Sequence, residues 1–236
     1  MNSEAVSIKK FYKTASFDAG DNGCVITLDG RQAKTQTKKL LAAPSEALAK
    51  AIADEWNAQD EFIDRNAMPL TGMLSAAIDG GAEGAKVWRE EVLNYLGSDL
   101  LCYRAESPAG LIAKQAEIWD PYLVWLRETF GAPLVTTAGI VAVGQPDAAI
   151  AAVRSALAEK TPETLFPLRL ATAISGSAVL ALALWRQAFD PGAIFEASRV
   201  DERYQEEKWG VDSEARERED RLRGEFLSIG RFLALL

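Results

Sequence analysis

The sequence contains no histidine and only two cysteines in 236 residues. Without an imidazole, one chain cannot supply Ser-His-Asp or Cys-His machinery or His-ligated zinc. Two cysteines make neither a Cys₄ metal site nor a disulfide-rich secreted scaffold. Cys24 and Cys102 stand far apart and fit a reducing compartment. Long apolar runs are scarce. The most apolar stretch, residues 165–185, is interrupted by Arg169, Thr172, Ser175, Gly176 and Ser177. The 16 residues from 170 to 185 fall short of the roughly 18–20 that span a bilayer, which predicts a buried core helix and no membrane insertion. Residues 1–13 show neither the apolar run of a signal peptide nor an Arg-rich transit pattern, so a cytoplasmic location is expected. A Walker-type phosphate loop, a dinucleotide fingerprint and a Gly-x-Ser-x-Gly elbow are all missing. Ser7-Ile8-Lys9-Lys10 spells Ser-x-x-Lys without the partner motifs that give it meaning.

What is present is an acidic, ordinary globular composition. Lys and Arg number 26 against 34 Asp and Glu, a net charge of −8, and 48% of residues are hydrophobic. A pI near 4.8 argues against a nucleic-acid binder that works by overall charge. The charge is uneven. Residues 1–50 hold 8 basic and 5 acidic side chains, whereas residues 201–225 hold 6 basic and 10 acidic.

The first part of the chain reads as mixed α and β. A segment that could pair in a sheet starts at 11–13, and residues 24–28 form a β-branched, apolar run. Asp29-Gly30 follows, with an extended polar pattern over 31–35, which predicts a hairpin because both turn residues tolerate positive φ. Residues 38–41 suggest a further strand. Pro44-Ser45-Glu46 opens a helix ending near 59–61, with Ser45 as cap and Leu48, Ile52 and Trp56 on its buried face. Met68-Pro69-Leu70-Thr71 reads as a joint, Thr71 capping the next helix.

From there the pattern is mainly helical: 71–79, a break at Gly80-Gly81, then 83–96. A stretch over 109–130 follows, which Pro121 should kink or divide. Residues 134–143 read as a strand or small hairpin. Helices are then expected over 146–159, 164–187, 190–208 and from Asp212-Ser213 to the end. The predicted fold class is therefore α+β. A small N-terminal α/β domain with a β-hairpin sheet, residues 1–66, precedes a larger, mainly α-helical domain, residues 67–236.

One segment carries the clearest surface signal. As a helix, residues 198–210 place Asp201, Gln205 and Lys208 along one stripe and Glu202, Glu206 and Trp209 along the next. Two readings fit: a protein-binding anchor of Trp edged with carboxylates, or a solvated face whose Trp caps the core. A chain with 34 acids always supplies some carboxylate pair, so a small hydrolase or isomerase is an alternative, given a pocket holding two acids. The apolar stretch 226–236 could dock on the body, on a client, or on a membrane surface.

Several words taken together resemble a known family. They are Lys10-Phe11-Tyr12-Lys13; Leu28-Asp29-Gly30-Arg31 with Lys34-Thr35; and Ala51-Ile52-Ala53-Asp54-Glu55-Trp56 with Gln59 and Ile63. Met68-Pro69-Leu70-Thr71, Asp99-Leu100-Leu101-Cys102-Tyr103-Arg104-Ala105, Gln115 and Trp119-Asp120-Pro121 follow. The last are Asp201-Glu202, Tyr204-Gln205 and Trp209-Gly210. In this order the chain resembles the assembly chaperones of the F-type ATP synthase catalytic head that bind the free α subunit, found in mitochondria and α-proteobacteria. The resemblance implies an α/β domain followed by a helical one, no catalysis, no cofactor or metal, and a protein that is monomeric when free. Its partner would be the α subunit, held until it pairs with β. The partner-binding residues implied are Asp201 and Glu202, with Gln205, Glu206 and Trp209 beside them. Trp56 matches a Trp that the family requires, and its helical position assigns it to stability. The sequence departs from the family in several ways, the first being Asp201, one methylene shorter than the family's usual Glu there. Gln36 replaces the usual Pro after Lys-Thr, and the N-terminal extension of mitochondrial members is missing, which fits a bacterial cytoplasmic protein.

Overall fold

The Asp29-Gly30 turn forms, with φ of 49° and 76° at its two residues. It joins β3 (Gly23–Leu28) to β4 (Arg31–Gln32) in antiparallel register. The computed structural model describes residues 8–20, 23–139, 141–210 and 213–236. Ser7, Ile140 and Asp212, named in the sequence readings, lie outside these. β3 is the centre of the sheet. It pairs on one side with β2 (Ala15–Gly20) from Ala15↔Leu28 to Gly20↔Gly23, and also with β5 (Ala42–Ala43). The strand expected to start at 11–13 therefore begins at Ala15, and the one expected at 38–41 is displaced to 42–43. Asp29 explains the first shift: its carboxylate accepts from the backbone N–H of Lys13 and Thr14, which fixes those residues as a turn-like approach.

α1 (Glu46–Asn57) covers this sheet with Leu48, Ala49, Ile52 and Ala53 buried. Ser45 caps it as expected, accepting from Leu48 N at 3.1 Å. A short ribbon, β1 (Ile8–Lys9) with β6 (Phe62–Ile63), sets Ile8 opposite Ile63.

The cap of the next helix, α2 (Pro69–Gly97), is not the expected one. Glu55 supplies it from α1: its carboxylate accepts from Leu70 N, Thr71 N and Thr71 Oγ1 at 2.7–2.8 Å. A carboxylate at the first turn answers both the free N–H groups and the positive end of the helix dipole. α2 is interrupted at Gly81, whose φ of 55° and ψ of −151° only glycine adopts readily. The predicted Gly80-Gly81 break is thus present inside one long element.

The chain divides at that glycine into two compact units, one running to Gly81 with Leu235–Leu236, the other Ala82–Ala234. The expected division after residue 66 falls before α2. The first turns of α2 belong with the sheet unit through the Glu55 cap, through Lys39 Nζ donating to Ile78 O, and through Thr37 Oγ1 donating to Asp79.

The second unit is helical. After α2, Leu100–Cys102 form a single 3₁₀ turn, and β7 (Tyr103–Arg104) pairs in parallel with β8 (Thr137–Ala138). Of the strand or small hairpin expected over 134–143, the strand is present as β8, and it pairs with β7. α3 (Ala109–Phe130) runs unbroken through Pro121, which corrects the expected division. α4 (Asp147–Leu157) follows as predicted. The apolar helix expected over 164–187 is two helices, α5 (Pro162–Ser175) and α6 (Ala178–Trp185), separated by Gly176 at φ 68°. All of Ala178–Leu184 is buried, the signature of a helix enclosed on every side. No helix among the described residues is long and apolar enough to cross a membrane.

α7 (Pro191–Ala197) is capped by Asp190. The helix expected over 190–208 breaks at Ser198-Arg199, and α8 (Val200–Trp209) follows. α9 (Ser213–Ala234) buries Phe226, Ile229, Phe232 and Leu233 and packs on α5, α6 and α7, so the apolar terminal stretch docks on the body.

Candidate functional site

α8 carries most of the residues singled out from the sequence, and its neighbours decide which of them are available. Its first turn sits beside α3. There Gln115, buried in α3, accepts from Ala105 N through Oε1 at 2.8 Å and donates from Nε2 to Asp201 Oδ1 at 2.7 Å. One amide thus joins a loop to a carboxylate and fixes both. One turn along α3, Trp119 is fully buried and donates to Ala197 O at 2.7 Å, which holds the end of α7. The Arg104 guanidinium lies over its ring at 5.2 Å and pairs with Asp120.

Arg199, just before α8, is the residue that sequence reasoning passed over. Nη2 donates to Ile174 O at 2.7 Å and Nη1 to Glu202 at 3.2 Å, with the guanidinium over Phe195. Its Nε is buried with no acceptor among the described residues. The signal in the sequence was a basic residue three positions before Glu202, a helical ion-pair spacing.

Asp201, Glu202, Gln205 and Arg199 line one cleft of about 400 Å³, which Leu100, Ser175 and Gly176 close from below. Glu206 does not join them. It pairs with Arg203, which also pairs with Glu196 and Glu219. Hydrogen bonds from Glu196 first, then Glu219 and Glu206, hold the Arg203 guanidinium pKa above its ordinary value despite partial burial. Trp209 is 78% exposed at the end of α8, so it does not cap the core.

Next to Leu100 of the cleft lining lies a buried hydrogen-bond cluster. Asp99 is fully buried and accepts from Leu101 N, Ser177 Oγ and Val179 N at 2.7–3.1 Å. Burial pushes its pKa up to about 6, against those three hydrogen bonds. Burial, then the Asp99 charge, pushes the Cys102 thiol up to about 12, so it offers no thiolate near neutral pH.

The cleft does hold two carboxylates, the arrangement that the hydrolase alternative requires. Each is engaged, Asp201 by Gln115 and Glu202 by Arg199. The lining hydroxyls, Ser175 and Ser198, donate to main-chain carbonyls at 2.8 and 2.6 Å, so neither is activated by a base. The arrangement presents fixed charge for binding. Among the described residues no group of three or more acids and cysteines could hold a metal ion.

Trp56 stands in the other unit. It is half-buried, edge-on to Tyr12 with centroids 5.4 Å apart, and Tyr12 OH donates to its carbonyl. Part of the indole lines an open groove, so its face is less enclosed than those of Leu48 and Ile52.

Comparison with known proteins decides the family. The family described as ATP12 chaperone protein matches residues 9–127. The crystal structure of Atp12 from Paracoccus denitrificans superposes with a TM-score of 0.92 at 36% identity, covering 97% of this chain and 98% of that one. The chain belongs to the ATP12 chaperone family. The Atu1473 protein of Agrobacterium tumefaciens gives the same TM-score at 37% identity, over 96% of this chain and 85% of its own. Protein atp12, mitochondrial, of Schizosaccharomyces pombe is 24% identical over 227 residues, 89% of this chain and 77% of its own. The family resemblance and the α+β fold class read from the sequence both hold.

Within this ATP12 family member, the words that carried the resemblance gather into two clusters, one per unit. Lys10, Glu55, Gln59 and Thr71 meet through hydrogen bonds in the first. Arg104, Ala105, Gln115, Asp120 and Asp201 meet in the second.

Proposed function

We propose that this ATP12 family chaperone serves assembly of the F-type ATP synthase by holding its unassembled α subunit on the face of α8. Asp201, Glu202, Gln205 and Trp209 would make the contact, and Glu206 would hold α8 in place through Arg203. The observation that carries this reading is the Gln115–Asp201 bond. It fixes a carboxylate beside Glu202 in a cleft, with an exposed Trp further along the same helix. Fixed acids with an aromatic anchor suit a partner surface carrying basic side chains.

Holding requires no covalent step. A subunit that lacks its neighbour exposes apolar surface that aggregates, and binding removes it from the aggregating pool by mass action. Release follows when a β subunit competes for the same surface. The expected setting is the bacterial cytoplasm, with the free chaperone a monomer.

The test is binding to purified α subunit, with melting recorded alongside. Asp201→Lys with Glu202→Lys should weaken binding on the order of a hundredfold. Melting should move by only a few degrees, since both side chains reach solvent. Trp209→Ala should weaken binding about tenfold with no change in melting. Wild-type affinity in the charge-reversed variant removes this face from the function. A pull-down that recovers the α subunit without β supports the choice of client.

A further inference from the structure

The sheet unit contains a second concavity with the opposite chemistry. It is a groove of about 440 Å³. One wall is the β1/β6 ribbon, with Ile8 facing Ile63 across it. The next is aromatic: Phe11 and Trp56 line it, each edge-on to the buried Tyr12. The start of α2 forms the floor, where Gly72, Ser75 and Ala76 share a stripe of small side chains.

Three observations bear on what fills it. Phe11 is 68% exposed and Ile8 37%, so apolar surface is left uncovered along the groove. The Trp56 Nε1 donor is buried with no acceptor among the described residues. Such a donor is unfavourable until it finds one. Lys34 and Arg65 both line the groove and have no carboxylate partner among the described residues, in a chain whose net charge is −8. Asp79, the acid in the lining, already accepts from Thr37 Oγ1 at 2.6 Å.

We propose that this groove binds an extended apolar peptide segment bearing a carboxylate side chain. The apolar side chains would lie between the ribbon and α2, and the carboxylate would meet Lys34 and Arg65. The volume suits a few side chains rather than a folded element. A peptide brings apolar side chains and polar groups together along its length, as the lining mixes apolar residues with Lys34, Thr35, Gln36 and Arg65, whereas an acyl anion carries its one polar group at one end. In a chaperone this segment belongs to the client. That identification rests on the proposed function; the binding itself does not.

The test uses two fluorescein-labelled decapeptides of alternating Val and Ser, one ending in two Glu and the other in two Lys, with decanoate as competitor. At low salt the Glu peptide should bind roughly tenfold tighter than the Lys peptide, and added salt should narrow the gap. A Cβ at Gly72 meets nothing within 4 Å, so Gly72→Leu should fill the floor. It should abolish peptide binding without lowering the melting temperature, because it replaces a helical glycine. Lys34→Glu with Arg65→Glu, both exposed, should reverse the preference between peptides. Equal binding of the two peptides would overturn the proposal. So would Glu-peptide binding that survives in folded Gly72→Leu, or decanoate binding without peptide binding. Asp201→Lys with Glu202→Lys should leave peptide binding unchanged. If that variant also keeps full affinity for the α subunit, the α8 reading fails and the groove stands.

Discussion

The cleft beside α8 and the groove beside α2 are close in size, about 400 and 440 Å³, and opposite in how their polar groups are engaged. In the cleft, Gln115 is bonded at both ends, Glu202 is paired, and Ser175 and Ser198 are bonded to carbonyls. In the groove, Lys34 and Arg65 have no carboxylate partner among the described residues, and beside it the buried Trp56 indole N–H has no acceptor among them. A cleft whose carboxylates, buried amide and hydroxyls are bonded, with Arg199 Nε the exception, offers a largely fixed surface, and binding there costs little further ordering. A groove with open donors gains hydrogen bonds only when a partner supplies acceptors. The first arrangement suits a folded client, the second a pliable segment.

The strongest way to break this contrast is to remove the buried cluster beside the cleft. Asp99→Ala leaves Leu101 N, Ser177 Oγ and Val179 N without their acceptor inside a closed core. It should cost about 3 kcal/mol or more and lower the melting temperature by about 6–12 °C. Urea denaturation would measure it. Client affinity should fall, while groove probes still bind.

The same residue gives a pH signature. In the folded protein its carboxyl titrates at about 6, above its ordinary value of 3.8, because burial disfavours the charge. Between those values the folded protein keeps a proton that the unfolded chain has released. The contribution of Asp99 is therefore fully present below about pH 4 and is lost as pH rises through about 6. Asp99→Asn should remove that slope from the urea midpoint measured between pH 4.5 and pH 7.

The matching change in the other unit is smaller. Glu55→Ala strips the cap from α2, leaving Leu70 N, Thr71 N and Thr71 Oγ1 to water. About 1–2 kcal/mol of stability should be lost. Since α2 forms the floor of the groove, peptide-probe binding should weaken while the α8 charge-reversal effect on the α subunit persists. If both sites respond equally to Glu55→Ala, the two are not separate in function.

Much of this was legible locally. The β-branched run with Asp29-Gly30 placed the hairpin, spacing four placed Leu48 and Ile52 on the buried face of α1, and Gly80-Gly81 marked the break in α2, although the division between units was expected after residue 66. The misses share one cause: partners distant in sequence. Thr71 looked like its own cap, yet Glu55 supplies the bond from sixteen residues away. Pro121 looked like a break, yet α3, packed on α6 and α8, stays continuous through it. The stripe on α8 was read correctly as geometry, but no local pattern said that Glu206 would turn to Arg203 while Asp201 turned to Gln115. The groove escaped altogether, because an unpaired donor can be recognised only once every neighbour is in place.

The finest test asks whether fixing Asp201 matters or only its charge does. Gln115→Met keeps the volume of the side chain and removes both hydrogen bonds. Ala105 is only half-buried, so water can replace the acceptor of its N–H and stability should fall by only about 1 kcal/mol. If the cleft works by holding a carboxylate ready, client affinity should drop severalfold although Gln115 is buried and touches no client. A double-mutant cycle with Asp201→Asn separates the causes. Coupling above about 0.5 kcal/mol ties the loss to orientation of that carboxylate. Strict additivity would mean that Gln115 serves the fold alone, and the contrast between a fixed cleft and an open groove would then rest on charge rather than on preorganisation.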